Sequence, residues 1–147
     1  MNRRACVVWS GDLQHGAGQV TTESGVLRDV PYRFAARFAD ELGMNPEELL
    51  GAAFASCFSM AFSDNLKRNG FIPKRLQTVA TVSFEKERAD WSIVRIHLDC
   101  DAIVPFAIEA DVQRIALESK EVCPVSRALK TVVTLKVTHL QEPRVSA

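Results

Sequence analysis

The chain lacks an excess of charge of either sign: 18 lysines and arginines balance 18 aspartates and glutamates over 147 residues. No net field recommends nucleic acid or an acidic membrane surface as the partner, so a small neutral substrate or a protein surface fits better. Cysteine is also scarce. Cys6, Cys57, Cys100 and Cys123 are too few and too dispersed for a disulfide scaffold. No Cys-x-x-Cys spacing occurs, and His15, His97 and His139 lie far apart in sequence, which gives a metal site no footing. The longest apolar run, Leu49 to Phe62, would span about 21 Å as a helix, short of the roughly 30 Å of a bilayer's hydrocarbon. It reads as a buried helix, with no membrane partner. The opening "MNRRACVVWSGDLQHG" breaks its apolar run at Gly11 and Asp12, too early for a signal-peptide core, so a cytoplasmic protein is expected. Repeats, low-complexity tracts and linkers are absent too. The expectation is one domain, residues 1–147, burying about 70% of the surface its unfolded form exposes.

What is present has an α+β texture. "ACVVWSG", "GQVTTES" and "YRFAARF" cluster β-branched and aromatic residues between glycine and aspartate punctuation, which predicts short strands in an antiparallel meander. Asn45 as N-cap, Pro46 at the first helical position, and Glu47 and Glu48 in the first turn start a helix running to about Arg68. Asn69 and Gly70 supply its left-handed cap, with Pro73 beyond. "RLQTVATVSFEKE" and "WSIVRIHLDCDAIV" have period near two and flank the turn "KERAD", a β-hairpin. "IEADVQRIALESKEV" returns to helical spacing, with Ile108, Val112, Ile115, Ala116 and Val122 on one face. "CPVSRAL" reads as a short helix begun by Pro124, "TVVTLKVTHL" as a closing strand, and "QEPRVSA" as a frayed tail. Antiparallel sheets packed around a long central helix follow. That helix is apolar nearly all round, and one small sheet covers only about half of it. A second subunit is expected to cover the rest, making an obligate, intertwined homodimer.

The cysteines divide by setting. Cys123 precedes Pro124 and would sit at the N-cap of the short helix, where backbone N–H groups and the macrodipole favour a thiolate. Cys57 lies in mid-helix among alanines and phenylalanines, so an activated Cys57 needs a cation: Arg33, Arg37, Arg68 or Arg127. Cys6 and Cys100 lie in strand-like surroundings and read as structural. Ser56 and Ser59 have no base at a recognisable spacing and read as small packing residues. Phe54, Phe58 and Phe62, four apart, have the spacing of a core stripe.

The stretches "GVLRDVPYRFAARF", "GMNPEELLGAAFASCFSMAFSDNLKRNGF" and "CPVSRALK", with the early "W-x-G-D" and "G-x-V-T-T-E-S-G-V-L", cover nearly the whole chain. On them the chain resembles the osmotically inducible protein C (OsmC) branch of the OsmC/Ohr peroxide-resistance family. The resemblance implies an OsmC-like fold and a homodimeric peroxidase, without metal or cofactor, that reduces organic hydroperoxides to alcohols in stress protection. Its reductant would be a dithiol, such as a lipoyl protein. The resemblance makes Cys57 of "A-x-C-F" the peroxidatic cysteine, Cys123 of "C-P-V-S" the resolving cysteine and Glu47 of "N-P-E" the glutamate. The arginine of the family's "T-R-F" corresponds to Arg37, with Ala36 in place of the threonine. Phe54 and Phe58 would also line an apolar substrate pocket.

In those roles the Cys57 thiolate attacks the peroxide, Arg37 stabilises the charge, Glu47 holds the guanidinium, and Cys123 closes a disulfide. Glu47 and Cys57 are about 15 Å apart along one helix, too far for one arginine to touch both within a subunit. Glu47 is therefore expected from the partner chain. A thiol redox sensor and a non-catalytic ligand-binding protein with reduced, buried thiols are the competing classes.

Overall fold

The computed structural model describes residues 1–38 and 42–141, so the tail expected to fray lies, from residue 142 on, outside the described residues. The chain forms two compact units, Met1–Leu49 and Leu50–Ala147.

In the first unit, β1 (Ala5–Ser10), β2 (Ala17–Thr22) and β3 (Val30–Arg33) form the expected antiparallel meander in the order β1-β2-β3. Trp9 pairs with Gly18, and Gly18 with Tyr32 on the far side. The two rings meet over the middle strand with centroids 5.3 Å apart. A Cβ at Gly18 would drive into both rings, so only glycine admits this pair. The strand expected over "YRFAARF" stops at Arg33, and Phe34–Phe38 is a short helix, α1. Alanine has high helix propensity, and Phe34 and Phe38 stack across one turn at 4.5 Å, a contact that strand geometry would deny them.

Helix α2 spans Pro46–Arg68, the range predicted. Asn45 Oδ1 accepts the Glu48 backbone N–H at 2.8 Å. At the other end Gly70 takes φ 87°. Its N–H reaches Lys67 O at 3.0 Å and the Phe71 N–H reaches Leu66 O at 2.9 Å, the double bond of a left-handed glycine cap. Among the described residues α2 alone has the length and apolarity of a membrane span. Yet Phe54, Phe58, Phe62 and Leu66, wholly buried, run down it as the stripe around which the second unit's core is built. Ala52, Ala53, Ser56 and Met60 on other sides of α2 are exposed in this chain.

In the second unit β4 (Arg75–Glu87) and β5 (Asp90–Ile103) form the expected hairpin, closed by a tight turn at Arg88 with φ 58° and interrupted by a register shift after Ser83. Along β5 the inward residues Ile96, Leu98, Cys100 and Ala102 are fully buried, the period-two pattern read from sequence. α3 (Glu109–Val122) and α4 (Pro124–Ala128) follow, then β6 (Val132–His139) beside β5. Two expectations change here. β6 runs parallel to β5, so this sheet is mixed rather than antiparallel throughout. A helical crossover between consecutive strands returns the chain to the end where β5 began, which makes the pairing parallel. On α3 the inward face is Val112, Ile115, Ala116 and Ser119, whereas Ile108 and Val122 are 65% and 54% exposed. Ile108 precedes the helix, and Val122 is its last residue, on the face of Ile115 but at the exposed end of the helix.

Phe58→Ala is expected to lower the unfolding free energy by about 3–5 kcal/mol, because the void lies where the core cannot close around it. Asn45→Ala, which costs one cap bond, should lower it by about 1 kcal/mol. Urea unfolding followed by circular dichroism checks both, and losses of equal size would contradict the placement of Phe58 at the core's centre.

Candidate active site

Cys57 lies midway along α2 and is half-buried, while Cys123 is the fully buried residue joining α3 to α4. Their sulfurs are 3.2 Å apart, with Cys123 donating, and both cysteines are free thiols. A disulfide needs about 2.05 Å, so a shift of about 1 Å joins them. Two features bring Cys123 there. Pro124 at the start of α4 breaks the helix, and the Cys123 N–H still reaches back to Ser119 O at 3.0 Å, closing the last turn of α3. The thiolate expected at this N-cap is not favoured. Burial pushes the Cys123 thiol up, and the N–H groups of Ser126 and Val125 oppose that only in part. The helix offers a few partial charges, while loss of water acts on the whole anion.

In the first unit, Arg37 of α1 faces Glu47 in the first turn of α2. Arg37 Nη2 donates to Glu47 Oε1 at 2.6 Å, and Nε donates to both carboxylate oxygens at 3.1 and 3.2 Å. Glu47 is only 12% exposed, so this is a forked, partly desolvated ion pair within one chain. The guanidinium also lies 5.3 Å from the Phe38 ring centroid. Of the other candidate cations, Arg68 is taken up by Asp64 at 2.7 Å on the outside of α2, and Arg33 and Arg127 are exposed. A cavity of about 370 Å³ opens beside Arg37, walled by Trp9, Leu13, Tyr32, Phe34 and Phe38. It is aromatic on most sides, and two of the candidate cations, Arg33 and Arg37, stand in its lining.

The structure thus joins the four predicted catalytic residues in two pairs, Cys57 with Cys123 and Arg37 with Glu47, one pair in each unit. The expected pocket residues are corrected: Phe54 and Phe58 have no exposed surface and belong to the core, because the stripe that fills a core cannot also face a ligand. The aromatic wall beside Arg37 went unread in the sequence, although Phe34 and Phe38 flanking Arg37 at helical spacing were its visible sign. A partly buried polar contact was missed as well: Asn65 Nδ2 donates to Ser119 Oγ at 3.0 Å. Cys100 is sealed in the core, its thiol pushed up chiefly by burial, and Cys6 is exposed on β1, both outside the pair. Ser59 spends its hydroxyl on Ala55 O and Thr78 Oγ1, a packing role. Among the described residues no three His, Cys, Asp or Glu side chains gather as a metal set.

Comparison with known proteins bears on this geometry. Residues 39–138 match the sequence model of the family described as OsmC-like protein. The chain is 46% identical over 127 residues to peroxiredoxin OsmC of Escherichia coli, covering 86% of this chain and 89% of that one. It is 30% identical over 114 residues to organic hydroperoxide resistance protein-like 1 of Staphylococcus saprophyticus, covering 77% and 79%. The crystal structure of the organic hydroperoxide resistance protein OhrB of Bacillus subtilis superposes with a TM-score of 0.71 at 26% identity, covering 92% of this chain and 98% of that one. The family match over residues 39–138, with 46% identity across most of both chains, establishes that the chain belongs to the OsmC-like protein family.

Proposed function

We propose that this chain is a cysteine peroxidase that reduces organic hydroperoxides to alcohols and protects a cytoplasm under osmotic or oxidative stress. The observation that carries the reading is the 3.2 Å approach of Cys57 and Cys123, two free thiols distant in sequence. The names of the relatives, a peroxiredoxin and organic hydroperoxide resistance proteins, agree with it.

The Cys57 thiolate attacks the outer peroxide oxygen. The O–O bond breaks, the alkoxide takes a proton and leaves as alcohol, and Cys57 becomes a sulfenic acid. The Cys123 thiolate then attacks the Cys57 sulfur. The S–O bond breaks, hydroxide leaves and is protonated to water, and an S–S bond forms. An external dithiol, such as a lipoyl protein, restores both thiols by exchange and leaves as a disulfide. No metal or cofactor enters this scheme.

Arg37 supplies the positive charge that the thiolate and the developing alkoxide need, and Glu47 holds its fork in place. Glu47 and Cys57 are about 15 Å apart along α2, and Arg37 is gripped by Glu47 of its own chain. The arginine therefore travels with the glutamate, and both meet the cysteine pair of a second copy. Exposed Met60, Ala52 and Ala53 on α2 support such a homodimer. The cavity of Trp9, Tyr32, Phe34 and Phe38 beside Arg37 accommodates the alkyl or aryl group of the hydroperoxide. On this reading the two units act as one domain.

With cumene hydroperoxide and a dithiol, many turnovers per protein are expected. A single turnover would mean a redox sensor, and none a binding protein. Cys57→Ser should abolish consumption, and Cys123→Ser should allow one oxidation with poor recycling. Mixing Cys57→Ser and Arg37→Ala proteins should restore about a quarter of wild-type activity, since each mixed dimer rebuilds one site of two. A mixture as inactive as its components would place the whole site within one chain. Disulfide formation should also speed up with pH through the alkaline range, beyond the ~8.5 midpoint of a free thiol. The sign follows from the cause: burial raises the Cys123 thiol, so its thiolate fraction keeps growing there. Stopped-flow rates independent of pH would contradict this.

A further inference from the structure

Among the described residues Ser119 is the one polar side chain fully buried, and it lies one turn before Cys123. Its hydroxyl donates to Ile115 O at 2.6 Å and accepts Asn65 Nδ2 of α2 at 3.0 Å, while its carbonyl accepts the Cys123 N–H at 3.0 Å. One residue thus grips α2 through its side chain and the resolving cysteine through its backbone. A second, outer link runs from Arg114 Nη2 to Asn69 Oδ1 at 3.4 Å. Along α2 and its C-terminal cap the joined residues are Cys57, Asn65 and Asn69, and against them stand Cys123, Ser119 and Arg114, descending in order. These are rungs between two antiparallel segments.

We propose that Asn65 and Ser119 are positioning residues that set the register of α3 on α2 and so hold Cys123 within attacking distance of Cys57. The inference rests on the peroxidase reading above. An apolar pair would fill the same space, but packed apolar surfaces tolerate small slides, whereas a buried donor and acceptor lose their bond when displaced. The tolerance is small at this site. The sulfurs stand at 3.2 Å, and a misplacement of about 1 Å can cost about 10²-fold in rate. Only the second chemical step uses this distance: attack of Cys123 on the Cys57 sulfenic acid, with S–S formation and departure of the oxygen as water. The first step, oxygen transfer from the hydroperoxide to Cys57, forms no bond to Cys123 and needs from it at most the weak thiol hydrogen bond to the Cys57 sulfur.

The test separates the two steps in single turnovers with one equivalent of cumene hydroperoxide. Hydroperoxide loss reports sulfenic acid formation, and alkylation followed by mass spectrometry reports the Cys57–Cys123 disulfide. In Asn65→Ala and Ser119→Ala the first rate should stay within about twofold of wild type, and the second should fall about 10²-fold, with the sulfenic acid trapped by dimedone. Asn65 is only half-buried, so its alanine variant keeps the core if Ser119→Ala fails to fold. Asn65→Asp, which keeps the shape but offers no N–H to a Ser119 oxygen whose proton is already given to Ile115 O, should behave like Asn65→Ala. Disulfide formation at the wild-type rate in folded Asn65→Ala overturns the proposal, as does an equal fall in both rates. Wild-type protein that leaves the hydroperoxide untouched overturns the peroxidase reading and this proposal together, so the two failures are told apart.

Discussion

The placement of two sulfur atoms 3.2 Å apart, one in the middle of α2 and one just past the end of α3, is the constraint around which the second unit is organised. Each cysteine alone is unremarkable: one is a small residue in an apolar helix, the other a buried thiol ahead of a proline. Their approach requires α3 to lie on α2 in a defined register. The core enforces this, with Phe54, Phe58, Phe62 and Leu66 from α2 meeting Val112, Ile115 and Ala116 from α3 in one cluster. Close-packed interiors have little slack, and here packing serves chemistry directly.

Burial and charge are divided between the two units. The sulfur pair lies in apolar surroundings, where loss of water pushes the Cys123 thiol up. The cation lies in the other unit, beside an aromatic cavity and locked by a forked carboxylate. A guanidinium suits this part because it stays charged when partly desolvated and offers several donors in one plane. In the proposed dimer the cation of one copy would stand beside the sulfur pair of the other, so that association would complete each site.

The departures from expectation have a common physical origin. "YRFAARF" has the composition of a strand, but its second half coils into α1 because Phe34 and Phe38 stack only at helical spacing. The closing strand β6 was legible as a strand, yet its direction depends on the helices that precede it. Phe54 and Phe58 were legible as a stripe, and the structure spends that stripe on the core. The cavity beside Arg37 draws on Trp9, Tyr32, Phe34 and Phe38 from three elements, and its Trp9–Tyr32 corner exists because Gly18 has no side chain. Apart from Phe34 and Phe38 at helical spacing, the residues of this cavity share no period, so no local pattern announces the whole of it.

By itself the sequence determined the helix α2 from Asn45 to Gly70, the long hairpin, the proline-started turn after Cys123, and the residue types able to do thiol chemistry. These are set by backbone preferences and apolar periodicity that act within a few residues. Tertiary structure alone decided that Cys57 meets Cys123, that Arg37 and Glu47 pair within one chain, and that Ser119 bridges α2 to the resolving cysteine. It also decided that Cys123 is hindered rather than helped by its position. The reason is that distance and desolvation are sums over atoms far apart along the chain, and those atoms become neighbours only when the core closes.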